Sequence, residues 1–303
     1  MDGGVGGAVS TSWSARLGAV GVWRGVKDLP SELAVAIEGL GYGTVWLGGS
    51  PGSALREAEE LLEATQRLRV ATGIVNIWRS DPIELADAYH RIEASHPGRL
   101  LLGIGSGHRE ASPERARPLE AMSRYLDVLD EHGVPIAARV LSALGPRMLA
   151  IAAERSAGTH PYLTVPPQTR EARQVLGPDA LVAPEQTVVL DTDQGSARRS
   201  ARAFLAHYLE LENYTRTMRR AGFTAEDVAG QGSDGLIDAI VAHGDAPTLA
   251  AAIRAHLDAG ADHVCVQVQP AKGDVIAPLR AIAAELALDA AGPQAEGAVA
   301  GRP

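Results

Sequence analysis

Residues 100–108 read "LLLGIGSGH", an apolar run that suits a buried strand and closes on three alternating glycines and a histidine. Successive side chains of a strand point to opposite faces. Leu101, Gly103, Gly105 and Gly107 therefore share one face, and Leu100, Leu102, Ile104 and Ser106 the other. The first face is almost bare backbone. A dinucleotide-binding turn, G-x-G-x-x-G, would need glycine where His108 stands, so that reading fails. Glycines inside a strand either relieve crowding or mark close approach of another group. Three at one strand end point to a flat group laid against it.

The segment before it, "RVATGIVNIWRSDP" (69–82), has the same character. A β-branched strand carries Gly73 in its middle, then turns through Asn76, Trp78 and Arg79 into a helix opened by Ser80-Asp81-Pro82. A mid-strand glycine marks a bulge or a close approach. Two successive strands thus open space at one place.

Outward from these two, short apolar runs alternate with amphipathic stretches, the pattern of βαβ units around a parallel sheet. Candidate strands are 17–23, 43–49, 69–77, 100–107, 138–144, 158–164, 180–190 and 262–269. Eight strands predict an α/β chain folded as a (β/α)8 TIM-type barrel. Between the last two the spacing stretches from Asp191 to Ala261, which predicts a helical insertion over 192–246 with a long helix around Ala197–Arg220. Residues 1–13 read as a flexible arm, 14–290 as one barrel and 291–303 as a loose tail.

Composition narrows the function. The chain of 303 residues carries a formal charge of −9 and no Lys/Arg run, which argues against nucleic-acid or acidic-membrane partners. Cys265 is the only cysteine, so neither an internal disulfide nor a cysteine-based zinc site is available. No apolar stretch approaches the roughly 18 residues of a membrane span, and the first residues have no signal-peptide pattern. The expectation is a cytoplasmic protein acting on small molecules, without metal; His90, His96 and His256 show no metal-ligand spacing.

Other residues are candidates by position. In "DHVCVQVQ" (262–269) alternation sends Val264, Val266 and Val268 to the helices, and Cys265, Gln267 and Gln269 into the barrel. "SALGPRML" runs a strand into Gly145-Pro146 and a helix whose free N–H groups, with Arg147, form an anion site. Trp23 and Trp46 at strand ends are placed to wall a substrate cavity, with Tyr162 and Tyr214 as hydroxyl donors. Arg79 and Arg109 are candidates for pairing with an anionic ligand, and Glu185 is unusual within a strand.

Taken together, "GYGTVWLGGSPG", "ATGIVNIWRSDP", "GRLLLGIGSGH", "ALGPRMLAIAAERSAGTHPYL", "LENYTRTMRRAGF" and "GADHVCVQV" resemble the luciferase-like monooxygenase superfamily, in its branch of oxidoreductases using the deazaflavin coenzyme F420. The likeness runs from about Ser14 to Pro270. It implies a barrel with the flavin or deazaflavin ring at the C-terminal strand ends, backed by a non-prolyl cis peptide that falls on Gly73–Ile74 here. It further implies that Gly105, Ser106, Gly107 and His108 border the ring, and that Ala143, Leu144, Gly145, His160 and Pro161 approach the ribityl phosphate. Some deazaflavin dehydrogenases carry an Asp-His pair after strand two and a glutamate after the strand-four glycines. Here Gly49-Ser50 and His108 stand at those places, which leaves Ser50 as a cavity residue and His108 as the candidate acid.

The expected activity is hydride transfer between F420 and a small organic substrate, by a homodimer as in relatives. Two alternatives stay open: an FMN-dependent monooxygenase, and a non-catalytic paralogue that only binds a flavin or deazaflavin.

Overall fold

The computed structural model describes residues 12–107 and 117–288. The strands are β1 (Val20–Gly25), β2 (Thr44–Gly48), β3 (Arg69–Thr72), β4 (Val75–Asn76), β5 (Leu100–Gly105), β6 (Arg139–Leu141), β7 (Gly158–Thr159), β8 (Leu181–Val182), β9 (Glu185–Leu190), β10 (Val241–Gly244) and β11 (Val264–Val268). The helices are α1 (Trp13–Leu17), α2 (Ser31–Gly39), α3 (Arg56–Ala64), α4 (Pro82–Ser95), α5 (Pro118–Glu131), α6 (Pro146–Arg155), α7 (Pro166–Leu176), α8 (Gln194–Leu209), α9 (Glu212–Arg220), α10 (Asp234–Ile240), α11 (Ala246–Asp258) and α12 (Ile276–Glu285).

All strand pairs are parallel, in the order β10-β9-β11-β1-β2-β3-β5-β6-β7-β8, with β4 paired to β5. The ring closes through residues 181–190, where β8 pairs with β7 and β9 with β11. Pro184 divides this stretch because it has no N–H to donate. Its carbonyl still accepts from Cys265 N–H at 2.9 Å, so neighbours change without a gap. The expected (β/α)8 barrel is the observed architecture.

Three details differ from the sequence reading. The first strand begins at Val20 rather than residue 17, because Trp13–Leu17 is helical and Gly18 turns the chain with φ +73°. The long helix expected over 197–220 is two helices, broken where Leu211 goes extended and turns its side chain inward. The inserted region also holds the short strand β10, which lines up beside β9. Residues 1–11 and 289–303, most of the expected arm and tail, lie outside the described residues.

Three apolar clusters follow from strand alternation. Val264, Val266 and Val268 face the helix ring with Leu100, Leu102 and Ile104. The barrel interior holds Leu17, Trp46, Ala71, Leu101, Val140 and Cys265. Over the C-terminal strand ends, Leu163, Leu205, Leu236, Ile237 and Tyr214 join the insertion helices to the mouth. Helix starts are fixed locally: Asp81 accepts from the N–H groups of Ile83 and Glu84, and Pro82 occupies the first turn of α4.

Candidate functional site at the barrel mouth

Strand three breaks at Gly73. The Gly73–Ile74 peptide is cis, as the resemblance implied, and the strand resumes as β4 against β5. The break frees the ladder groups of Gly103, and the Thr72 side chain replaces them. Its hydroxyl donates to Gly103 O at 2.7 Å and accepts from Gly103 N–H at 2.8 Å. A Cβ on Gly103 would lie 1.8 Å from Thr72 O, and one on Gly105 would lie 2.8 Å from the Ile74 side chain and 3.2 Å from Ser142. Protein atoms therefore occupy the space these two glycines clear, and the half-buried Gly73 and Ile74 are what the bulge presents to the mouth. Gly107 is needed for another reason, a left-handed φ of +57°. Beyond the bulge the Trp78 indole N–H donates to Ser106 O at 2.7 Å, tying the two loops together.

The two candidate tryptophans separate. Trp23 lies across the end of β2, where a Cβ on Gly48 would meet its ring at 1.9 Å. Its indole N–H donates to Gly73 O at 3.2 Å, and it walls a recess of about 180 Å3 with Arg24, Gln267 and Gln269. Trp46 is fully buried inside the barrel. It stacks on His160 at 3.9 Å and donates to His263 Nε2 at 3.0 Å, so it packs the interior and walls no cavity.

His160 is also inside. Its Nδ1 donates to Ala183 O at 2.7 Å, and burial lowers its pKa to about 4. That leaves a neutral imidazole stacked on Trp46, not a cation at the helix start where the resemblance suggested a phosphate. Its Nε2 lies near Gly73, where a Cβ would come within 3.2 Å. His263 is likewise neutral, pushed to about 4 by burial, with Nδ1 on Gly18 O.

Above these rings is a layer of neutral polar groups. Tyr162 donates to Gln267 Oε1 at 2.8 Å, and its oxygen lies 3.1 Å from the Tyr208 hydroxyl. With its proton committed to Gln267, Tyr162 accepts from Tyr208. Trp23 and Tyr214 pack against Tyr162 at 5.5 and 6.2 Å between ring centroids. Glu185 is 1% exposed, and burial pushes its carboxyl up to about 8 against the opposing pull of the Thr187 hydroxyl and Leu163 N–H. Gln267 points into the barrel as alternation predicts, while Gln269 accepts from Ala271 N–H at 3.0 Å.

The start of α6 is open. Gly145 sits at its N-cap with no side-chain cap, Pro146 follows, and Arg147 is exposed in the first turn. Ala143 is buried, Leu144 half-buried, and Pro161 O accepts from Glu185 N–H. Sequence reading missed Arg220: its guanidinium donates to Leu144 O at 2.6 Å and reaches within 3.5 Å of a Cβ placed on Gly145. The available signal was the Arg219-Arg220 pair ending a helix, far from Gly145 in sequence. Gly49 and Ser50 both adopt left-handed φ, +75° and +59°, in a turn that leaves β2. Arg79 is exposed. His108 and Arg109 lie outside the described residues.

Among the described residues no group of three or more His, Cys, Asp or Glu is placed to hold a metal ion, and no helix is long and apolar enough to cross a membrane.

The model of the luciferase-like monooxygenase family matches residues 30–133, from α2 through α5. No curated protein sequence matches the chain. Among solved structures, an F420-dependent secondary alcohol dehydrogenase in complex with an F420-acetone adduct superposes with TM-score 0.70 at 14% identity, covering 89% of this chain and 99% of its own. The coenzyme F420-dependent tetrahydromethanopterin reductase from Methanopyrus kandleri gives TM-score 0.69 at 18% identity, covering 88% and 97%. The oxygenating constituent of 3,6-diketocamphane monooxygenase from Pseudomonas putida, in complex with FMN, gives 0.63 at 15%, covering 89% and 97%. The likeness to luciferase-like proteins, with F420-dependent enzymes among those sharing the fold, is thus borne out.

Proposed function

We propose that this protein is an F420-dependent oxidoreductase that moves a hydride between the deazaflavin and a small organic substrate. The observation that carries the reading is one juxtaposition at the mouth. A glycine bulge at Gly73–Ile74 lies beside β5, and the next strand, β6, leads directly into the uncapped α6 start under Arg220. Such a site suits a ligand with a flat uncharged end and an anionic end.

The residues fit a flavin-type coenzyme. The N–H groups after Gly145, with Arg220, have the donor chemistry for a phosphate, and Gly73, Ile74, Ser106 and Gly107 offer backbone and one apolar side chain to a ring. When bound, the deazaflavin supplies a ring carbon that accepts or donates hydride. Trp23 and Tyr162 wall the substrate side and exclude water. The Tyr208–Tyr162–Gln267 chain holds a proton on each hydroxyl, and we assign the acid role to His108, which follows the glycines.

Proteins sharing the fold include both F420-dependent enzymes and an FMN-bound monooxygenase constituent, so the choice between the two cofactors rests on the experiment. The test is a fluorescence titration of the purified protein with F420 and, separately, with FMN. Tighter binding of F420 supports the proposal. Tighter binding of FMN replaces it with the monooxygenase reading, and binding of neither removes it. If F420 binds but no substrate screen yields hydride exchange, the non-catalytic reading takes its place.

A further inference from the structure

Beyond Arg220, the rim of the mouth carries further positive charge. α9 carries Arg216, Arg219 and Arg220 at i, i+3 and i+4, so they share one helix face. With Phe223, Thr224 and Ala225 they line an open recess of about 410 Å3. The helix is held rigidly beneath them: Tyr214, Thr217 and Met218 are buried, and Thr217 O accepts from Gln168 Nε2 at 3.2 Å. The turn after it is fixed by Gly222 at φ +107° and by Phe223 N–H bonding Met218 O.

The charge here is unbalanced in a chain whose net charge is −9. Arg216 pairs with exposed Glu212 at 3.0 Å, but neither Arg219 nor Arg220 has a carboxylate partner among the described residues. Cations in a last helical turn offset the carbonyl end of the helix dipole, which accounts for one arginine more readily than three. Arg220 also connects the recess to the site, because it bonds Leu144 O directly before the α6 start. An anion at Gly145 and an anion in the recess would share Arg220 as neighbour.

We infer that the Arg216–Arg219–Arg220 recess binds an oligoanionic chain, the carboxylate-bearing tail that extends past the phosphate of the deazaflavin coenzyme. This rests on the function proposed above and adds a determinant of coenzyme choice. FMN ends at its phosphate and reaches only Gly145 and Arg220. A tailed deazaflavin also reaches Arg219 and Arg216, and Phe223 gives the apolar stem of the tail a surface.

The experiment compares three probes by fluorescence titration: F420, the same deazaflavin ending at its ribityl alcohol, and FMN. Each is measured on the wild type and on the double variant Arg216→Ala/Arg219→Ala at low and high salt. The expected result is that the double variant loses about tenfold or more in F420 affinity, the scale of two charge-assisted contacts, and that high salt shrinks this loss. Affinity for the tail-less deazaflavin and for FMN stays unchanged. Equal F420 affinity in variant and wild type overturns the inference, as does an equal loss for all three probes. An unchanged F420 affinity in the variant, with F420 still bound more tightly than the deazaflavin that lacks both phosphate and tail, overturns the inference and leaves the proposed function standing. Equal wild-type affinity for those two probes removes the anion site at Gly145 and overturns both. Failure of every probe to bind the wild type overturns both.

Discussion

Replacing Glu185 by glutamine tests the neutral interior of the barrel directly. Burial raises this carboxyl from 4.5 to about 8, so the folded chain holds a proton that the unfolded chain releases. The penalty is absent below pH 4.5, grows by about 1.4 kcal/mol per pH unit through the window, and levels off above about pH 8, where the native carboxyl also ionises. Across the whole window it reaches about 5 kcal/mol, a large share of an ordinary folding free energy. Glutamine cannot ionise, so Glu185→Gln removes the slope. It also introduces a fixed cost: the amide offers one acceptor oxygen where the carboxyl serves both Thr187 and Leu163, worth about 1–3 kcal/mol. The variant should therefore be less stable than the wild type at pH 5 and more stable by pH 8. Urea unfolding followed by tryptophan fluorescence at several pH values between 5 and 8 gives the difference at each. A difference that stays flat with pH would refute the reasoning, because it would mean that Glu185 is already ionised in the fold.

Other perturbations follow from the same contacts. Thr72→Val leaves the buried N–H and C=O of Gly103 without their partner and should cost about 2–5 kcal/mol in chemical denaturation, while Thr72→Ser should retain most of it. Gly48→Ala puts a methyl into the Trp23 ring, so it should shift tryptophan emission and lower Tm; adding Trp23→Leu should restore part of the loss, and additive losses would contradict the contact. His160 and His263, both lowered from 6.5 to about 4, stay neutral in the fold, so stability should fall as pH drops from 6.5 to 4 by about 3 kcal/mol for each. Glu185 acts in the opposite direction between pH 4.5 and about 8, outweighed by the two histidines below 6.5 and unopposed by them above it, so the melting temperature should peak near pH 6.5.

The barrel was legible because its signal is periodic and local. Alternation in "DHVCVQVQ" sorted valines from glutamines correctly, and Gly73 announced the strand break without any partner in view. The reading of Gly103 and Gly105 was incomplete for a physical reason. A glycine records that something is close, and only the fold shows that here it is Thr72 O and the Ile74 side chain. Trp46 and His160 were harder still. A strand residue facing inward can sit at the mouth or deep in the barrel, and the alternation is the same at either depth. Arg220 was out of reach of local pattern, because 75 residues separate it from the Gly145 it approaches.

The placement of charge explains why these pieces form one site. The buried groups at and just beneath the mouth are neutral: the His160 and His263 tautomers are set by carbonyl partners, Glu185 keeps its proton, and burial holds the tyrosine hydroxyls of Tyr162 and Tyr214 far above their usual range. A buried charge without a partner is expensive, so the interior meets a ligand with hydrogen bonds and ring faces alone. Positive charge is kept at the rim, on the side of the mouth where α6 begins and α9 crosses Leu144. On the function proposed above, a flat uncharged head and an anionic tail would be recognised by different parts of the protein, one by shape and one by charge. Altering the arginines should therefore change affinity and salt dependence without touching the head's environment, while altering the bulge at Thr72 or Gly73 should disturb the head and leave the tail's arginines where they are.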